Sequence, residues 1–166
     1  MNKFATLARS LALILFVIGG LAQATPMQLD ITGEIQHTNV PGAHVYRFTE
    51  QEWRSMPRAQ FTTATNWTPS SRFSGVLLSD VLSIVGAKGT TLRVTAYDGY
   101  VAYAIPISDA HRYGVILADH INGKQLTLRD FGPLFLVYPR DRFPKELNRS
   151  EVAGRFVWQV KSIEVR

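Results

Sequence analysis

The sequence predicts an α+β fold with a mainly β core and peripheral short helices. Three observations predict it. Apolar and polar residues alternate at strand period, most clearly in Leu92-Arg93-Val94-Thr95-Ala96. Two pairs, Asp98-Gly99 and Asn122-Gly123, have the composition of tight hairpin turns. Helical spacing shows in short stretches only, the clearest being Leu77, Leu78, Val81, Leu82 and Val85.

In chain order, Met27 to Ile35 alternates around Leu29 and Ile31 and reads as an early strand. Thr49, with Glu52 three residues on, has the capping-box pattern of a short helix that Pro57 ends. A strand is expected near Gln60 to Thr63. The stretch from Thr62 to Val76 is rich in hydroxyls and carries Asn66 and Trp67, a composition suited to lining a pocket; Ser74 is expected to cap the helix after it. Gly86 closes that helix. Leu92 to Ala96 and Val101 to Ile105 form a hairpin across Asp98-Gly99, and Val115 to Ala118 pairs with Gln125 to Leu128 across Asn122-Gly123. The apolar run Leu134 to Tyr138 suits a central strand, and Phe156 to Val165 a last one.

The N-terminus reads as a secretory leader. Lys3 and Arg9 precede an apolar run, Leu11 to Leu21, too short for a membrane helix, and Ala22-Gln23-Ala24 fits a cleavage site. Residues 1–24 are thus expected to be a signal peptide and 25–166 a single exported, periplasmic domain; the rival reading is an uncleaved anchor. The remainder has a formal charge of +3, from 16 basic and 13 acidic residues, with no basic run that would suit nucleic acid.

Cysteine is absent, which removes disulfides, thiol nucleophiles and thiolate metal ligands together. No Gly-x-Ser-x-Gly elbow, phosphate loop or dinucleotide fingerprint occurs. His37, His44, His111 and His120 are scattered, without metal-site spacing. No catalytic residue and no metal ligand is assigned. What remains are aromatic and polar groups in Trp67, in Tyr97-Asp98-Gly99-Tyr100 and in Tyr138-Pro139-Arg140-Asp141-Arg142. Such groups suit a flat, polar heterocycle: a ring stacks on an aromatic face, a carboxylate accepts paired N–H donors, and an arginine meets an oxygen.

The order of motifs resembles the sulfite-oxidase-type molybdopterin-binding domain family. Trp67, then Phe73-Ser74-Gly75-Val76-x-Leu78, is similar to that family's Trp followed by aromatic-x-Gly-Val-x-Leu. Asp98-Gly99-Tyr100 with Ile105-Pro106, Ile116-Leu117-Ala118, Asn122-Gly123-x-x-Leu126, Gly132-Pro133-Leu134-x-Leu136-Val137-x-Pro139 and Val157-Trp158-Gln159-Val160 follow in family order. The resemblance covers about Gln60 to Val165 and implies that family's mixed, β-rich fold, with a pterin at one end of the sheets.

Departures from the family pattern shape the functional expectation. Its bacterial enzymes carry a molybdenum-ligating cysteine ten residues before the aromatic of aromatic-x-Gly, and that position here is Thr63. A hydroxyl that stays protonated near neutral pH is a poor substitute for a thiolate. The family's phosphate-holding arginine, two residues after the Gly-x-Pro proline, falls on Phe135. The resemblance then extends to periplasmic pterin-binding proteins that report to an inner-membrane partner, such as a cyclic-di-GMP enzyme or a sensor kinase. The expectation is a monomeric, non-enzymatic pterin sensor without molybdenum. Trp67 stacks on the ligand; Asp98 or Asp141 pairs with its N–H groups; Thr63, Thr65, Asn66, Tyr100 and Tyr138 line the site; Arg140 meets an oxygen. The alternatives are a molybdopterin-dependent oxidoreductase or its accessory subunit, and an interaction module without ligand.

Overall fold

The computed structural model describes residues 27–166, so the expected leader and its cleavage site lie outside the described residues. Among the described residues, ten strands and five short helices follow one another: β1 (Gln28–Gly33), β2 (Tyr46–Thr49), α1 (Glu50–Ser55), β3 (Ala59–Thr63), β4 (Ser71–Leu77), α2 (Leu78–Val85), β5 (Thr91–Ala96), β6 (Val101–Pro106), α3 (Ser108–Tyr113), β7 (Ile116–Ile121), β8 (Lys124–Gln125), β9 (Phe135–Val137), α4 (Pro144–Leu147), α5 (Ser150–Ala153) and β10 (Val160–Val165). The expected α+β class with a mainly β core is what the chain adopts.

Two five-stranded sheets carry the fold. The first has the order β2-β1-β10-β5-β6, and the second runs β3-β4-β7-β8 with β9 also on β7. The first and last strands lie side by side in parallel, Ile31 opposite Ile163. That pairing brings the two ends of the described chain together in mid-sheet. β7 pairs with β9 along Ile116 to Ala118 and with β8 at His120 and Ile121. Inward residues of both sheets, including Leu29, Phe48, Phe73, Leu92, Ile105, Leu117, Phe135 and Ile163, are completely buried.

Local chemistry accounts for most boundaries. Thr49 caps α1, its hydroxyl accepting the Glu52 amide at 3.3 Å. Gly86 ends α2 in the left-handed conformation, at φ 61°. Asn122 and Gly123 both have positive φ, 51° and 84°, as a primed hairpin turn requires.

Three expectations are corrected. Ser74 does not cap a helix: it sits within β4, opposite Gln60 on one side and His120 on the other, and α2 begins without a side-chain cap. The extra strand forms because both edges of this segment find partners, which outweighs the weak strand preference of its Ser and Gly residues. The last strand begins at Val160, since Gln159 adopts φ 51° and breaks the run, while Val157 bridges to Leu136 instead. The return strand after Asn122-Gly123 is only Lys124–Gln125, because a turn held by the Asp130 carboxylate on the Thr127 amide, at 2.6 Å, follows at once.

Candidate functional site

The loop between β3 and β4 is shaped by its own hydroxyls. Thr65 Oγ1 accepts the amides of Trp67 and Thr68, at 3.1 and 3.0 Å, and lies 2.9 Å from the Thr68 hydroxyl. This short side-chain turn holds Trp67 outward, where it is 44% exposed. Its ring stacks on Trp158 with centroids 5.9 Å apart and planes 16° apart, and meets Phe135 edge-on at 6.2 Å. Phe131 completes the cluster, 5.5 Å from Trp158 and 5.4 Å from Phe135. Trp67 is therefore backed by other aromatic rings on one side and open to solvent on the other.

The same loop is stitched to the segment after β9. Asp141 donates its amide to Thr63 Oγ1 at 3.1 Å, and its carboxylate Oδ2 accepts the Ala64 amide at 3.0 Å. Arg140 donates to the Asn66 side-chain oxygen at 2.8 Å. Residues 63–67 and 139–141 thus form one wall, although more than 70 positions separate the bonded residues in the chain.

The expected site residues divide into four groups. Trp67, Asn66, Arg140 and Asp141 are brought together, and each keeps surface or polar atoms not used within the protein. Thr63 and Thr65 lie in the same place, but both are buried and their hydroxyls are spent on the protein itself. Tyr138 is fully buried: its hydroxyl donates to Asp109 at 3.0 Å, the same carboxylate oxygen that Arg155 holds at 2.7 Å. Burial pushes its phenol far above the ordinary tyrosine range, helped by the Asp109 carboxylate. It is therefore part of the core rather than of an open wall.

Asp98 and Tyr100 belong to the β5–β6 turn of the other sheet. Asp98 accepts the Tyr100 amide at 2.9 Å, and the Tyr100 hydroxyl donates to the Gly154 carbonyl at 3.0 Å. The turn connects to the aromatic cluster through Gln159, whose carbonyl accepts the Tyr97 amide and whose amide donates to Phe131, both at 2.9 Å. Sequence reasoning missed Trp158 and Phe131 as site residues. The Trp158-Gln159 pair was visible just before the closing strand, but its stacking on Trp67 depends on the fold bringing residues 67 and 158 together.

A second concentration of polar groups surrounds Asp119 on β7. Its Oδ2 accepts Trp53 Nε1 at 2.9 Å and Arg58 Nη1 at 2.8 Å, and its Oδ1 accepts Arg58 Nη2 and lies 2.7 Å from His120 Nδ1. Burial alone works to raise the Asp119 pKa, but Arg58, His120 and Trp53 together outweigh it and hold the carboxyl below the usual range. Among the described residues, no group of three or more His, Asp or Glu is placed to hold a metal ion. No helix among them is long and apolar enough to cross a membrane.

Residues 24–146 match the family described as the oxidoreductase molybdopterin binding domain. Among solved structures the chain is similar to the sulfane dehydrogenase SoxCD from Paracoccus pantotrophus, with a TM-score of 0.60 and 19% identity over 83% of this chain. It spans 37% of that chain's length, and at this identity the likeness speaks for the fold alone. No curated protein sequence matches it. The sheet architecture and the family match over most of the length agree, and the chain belongs to the oxidoreductase molybdopterin binding domain family, of sulfite-oxidase type.

Proposed function

We propose that this protein captures a pterin without molybdenum and acts, after export to the periplasm, as the ligand sensor of an inner-membrane signalling partner. The observation that carries the reading is the stacked Trp67–Trp158 pair, with one face of Trp67 open beside Asn66, Arg140 and Asp141. A pterin laid on that face has its polar edge within reach of an amide, a guanidinium and the second carboxylate oxygen of Asp141. Stacking supplies area, and the polar groups fix orientation.

Two features speak for a simpler ligand than the family's full cofactor. The Thr63 hydroxyl, at the position of the family's metal-ligating cysteine, is buried and accepts the Asp141 amide. Phe135, at the position of the phosphate-holding arginine, is buried among Phe73, Phe131 and Trp67 and offers no charge to a phosphate tail. These residues do not fit a molybdenum centre with a phosphorylated tail, and no reaction step is assigned to them. The sensing role rests on this missing chemistry and on the expected leader. The second reading, an oxidoreductase or its accessory subunit, rests on the family match itself.

The test is to purify the protein from its own host, denature it, and identify the released small molecules by fluorescence and mass spectrometry, with elemental analysis on the same sample. A stoichiometric pterin without metal supports the binding reading. Molybdenum with a phosphorylated pyranopterin overturns it in favour of the enzyme. If nothing is released, and pterins titrated into the empty protein do not bind, an interaction module is what remains.

A further inference from the structure

A cleft of about 300 Å³ opens between α1 and β7, lined by Glu50, Trp53, Arg54, Arg58, Asp119 and His120, with Met27, Gln125 and Pro133 around them. It shares no residue with the Trp67 wall. Its construction depends on a β-bulge. Ser74 pairs with His120 and Gly75 with Ala118, which leaves Asp119 as the extra residue. Neighbouring strand residues ordinarily point to opposite faces, but the bulge turns the Asp119 and His120 side chains into one cleft. Gly75 permits it: a Cβ there would lie 2.0 Å from the Leu117 carbonyl oxygen.

The four donors on Asp119 keep it ionised and leave it no capacity for a ligand. As a carboxylate it can only accept, so His120 must carry its proton on Nδ1. In the neutral ring Nε2 is then an acceptor, and it has no protein partner among the described residues. Arg58 is committed to Asp119, but Arg54 is not: among the described residues it pairs only with Glu50, one helical turn away, and its side chain is 68% exposed. Such a pair is weak and readily exchanged for a better anion. Met27, Trp53 and Pro133 give the cleft apolar surface between the charges.

We propose that this cleft is a second ligand site, which takes a small hydroxycarboxylic acid: the carboxylate on Arg54, the hydroxyl donating to His120 Nε2. An acceptor beside a cation selects a ligand with a donor next to its negative charge, and a plain carboxylic acid meets only half of that demand. The cleft lies at the small end of ligand pockets, which suits a small molecule.

The test is side-chain nitrogen NMR of the four histidines, with His120 assigned by its loss in H120Q and with glycolate, acetate and glycolamide as probes. The expected results are an Nδ1–H tautomer for His120, and a saturable glycolate shift at Nε2 with a dissociation constant of about 10 mM or below. Acetate and glycolamide bind about tenfold more weakly, and R54Q weakens glycolate about tenfold while its thermal unfolding stays that of the wild type. An Nε2–H tautomer, the absence of a saturable shift, equal responses to glycolate and acetate, or unchanged glycolate binding in R54Q overturns the proposal.

Discussion

Trp67 and Trp158 stack almost in parallel, their ring centroids 5.9 Å apart, and Trp67 is the more exposed of the two. The separation leaves no slot between the rings, so a flat ligand adds to the outside of the stack. Trp67→Ala removes the contact surface itself and is expected to weaken pterin binding by about tenfold or more. Trp158→Phe keeps an aromatic support and is expected to cost less. Quenching of tryptophan fluorescence by added pterin measures both. Wild-type affinity in Trp67→Ala would remove the stacking role.

Thr63 ties the segment after β3 to the segment after β9. Its hydroxyl is the acceptor for the Asp141 amide, and it is completely buried. Thr63→Val keeps the shape but orphans that amide, at an expected cost of about 1–3 kcal/mol in unfolding free energy. Thr63→Ser retains the acceptor and is expected to lose much less. Chemical denaturation of the two variants side by side checks this, and equal losses would mean that the hydroxyl is incidental.

Much of the fold was legible because its signals were local. Leu92 to Ala96, the two turn pairs and the Thr49 cap each act within a few residues. What escaped depended on contacts across the chain. β4 owes its extended form to β3 and β7 on either side, and no periodicity within Ser71-Arg72-Phe73-Ser74-Gly75 announces it. The site was half legible for the same reason. Trp67, Arg140 and Asp141 could be picked out by residue type, yet which hydroxyls are spent inside the protein is decided by partners 78 and 29 positions away, as at Thr63 and Tyr138. The Asp119–His120 arrangement needs a bulge, and a bulge shows only in the register of two strands.

Tyr138 separates a core role from a wall role. It was expected to line the site, but it is buried against Tyr113 and Phe156 with its hydroxyl on Asp109. Tyr138→Phe leaves Arg155 in place on Asp109 and is expected to cost about 1 kcal/mol of stability. Pterin affinity is expected to stay at the wild-type value. Calorimetric titration together with thermal unfolding distinguishes the roles, since a wall residue would lose affinity and leave stability nearly unchanged.

Asp119 makes stability depend on pH in a predictable direction. Its carboxyl titrates lower in the folded protein than the ordinary value of about 3.9 in an unfolded chain. The unfolded state therefore takes up the proton first as the pH falls. The stabilisation is fully present above that value and disappears as the pH drops through the lower, folded one. Asp119→Asn should accordingly be less stable than the wild type at neutral pH, by about 1–3 kcal/mol, because the partly exposed Arg58 loses its charged partner and one oxygen acceptor becomes an amide. The gap should narrow steadily below about pH 4, where the wild type loses the same interaction by protonation. Urea unfolding of both proteins between about pH 3 and pH 7 reads the difference directly, and taking the difference cancels the carboxylates that the two share. A gap that stays constant over that range would mean that Asp119 contributes through its shape and hydrogen bonds, with its charge irrelevant.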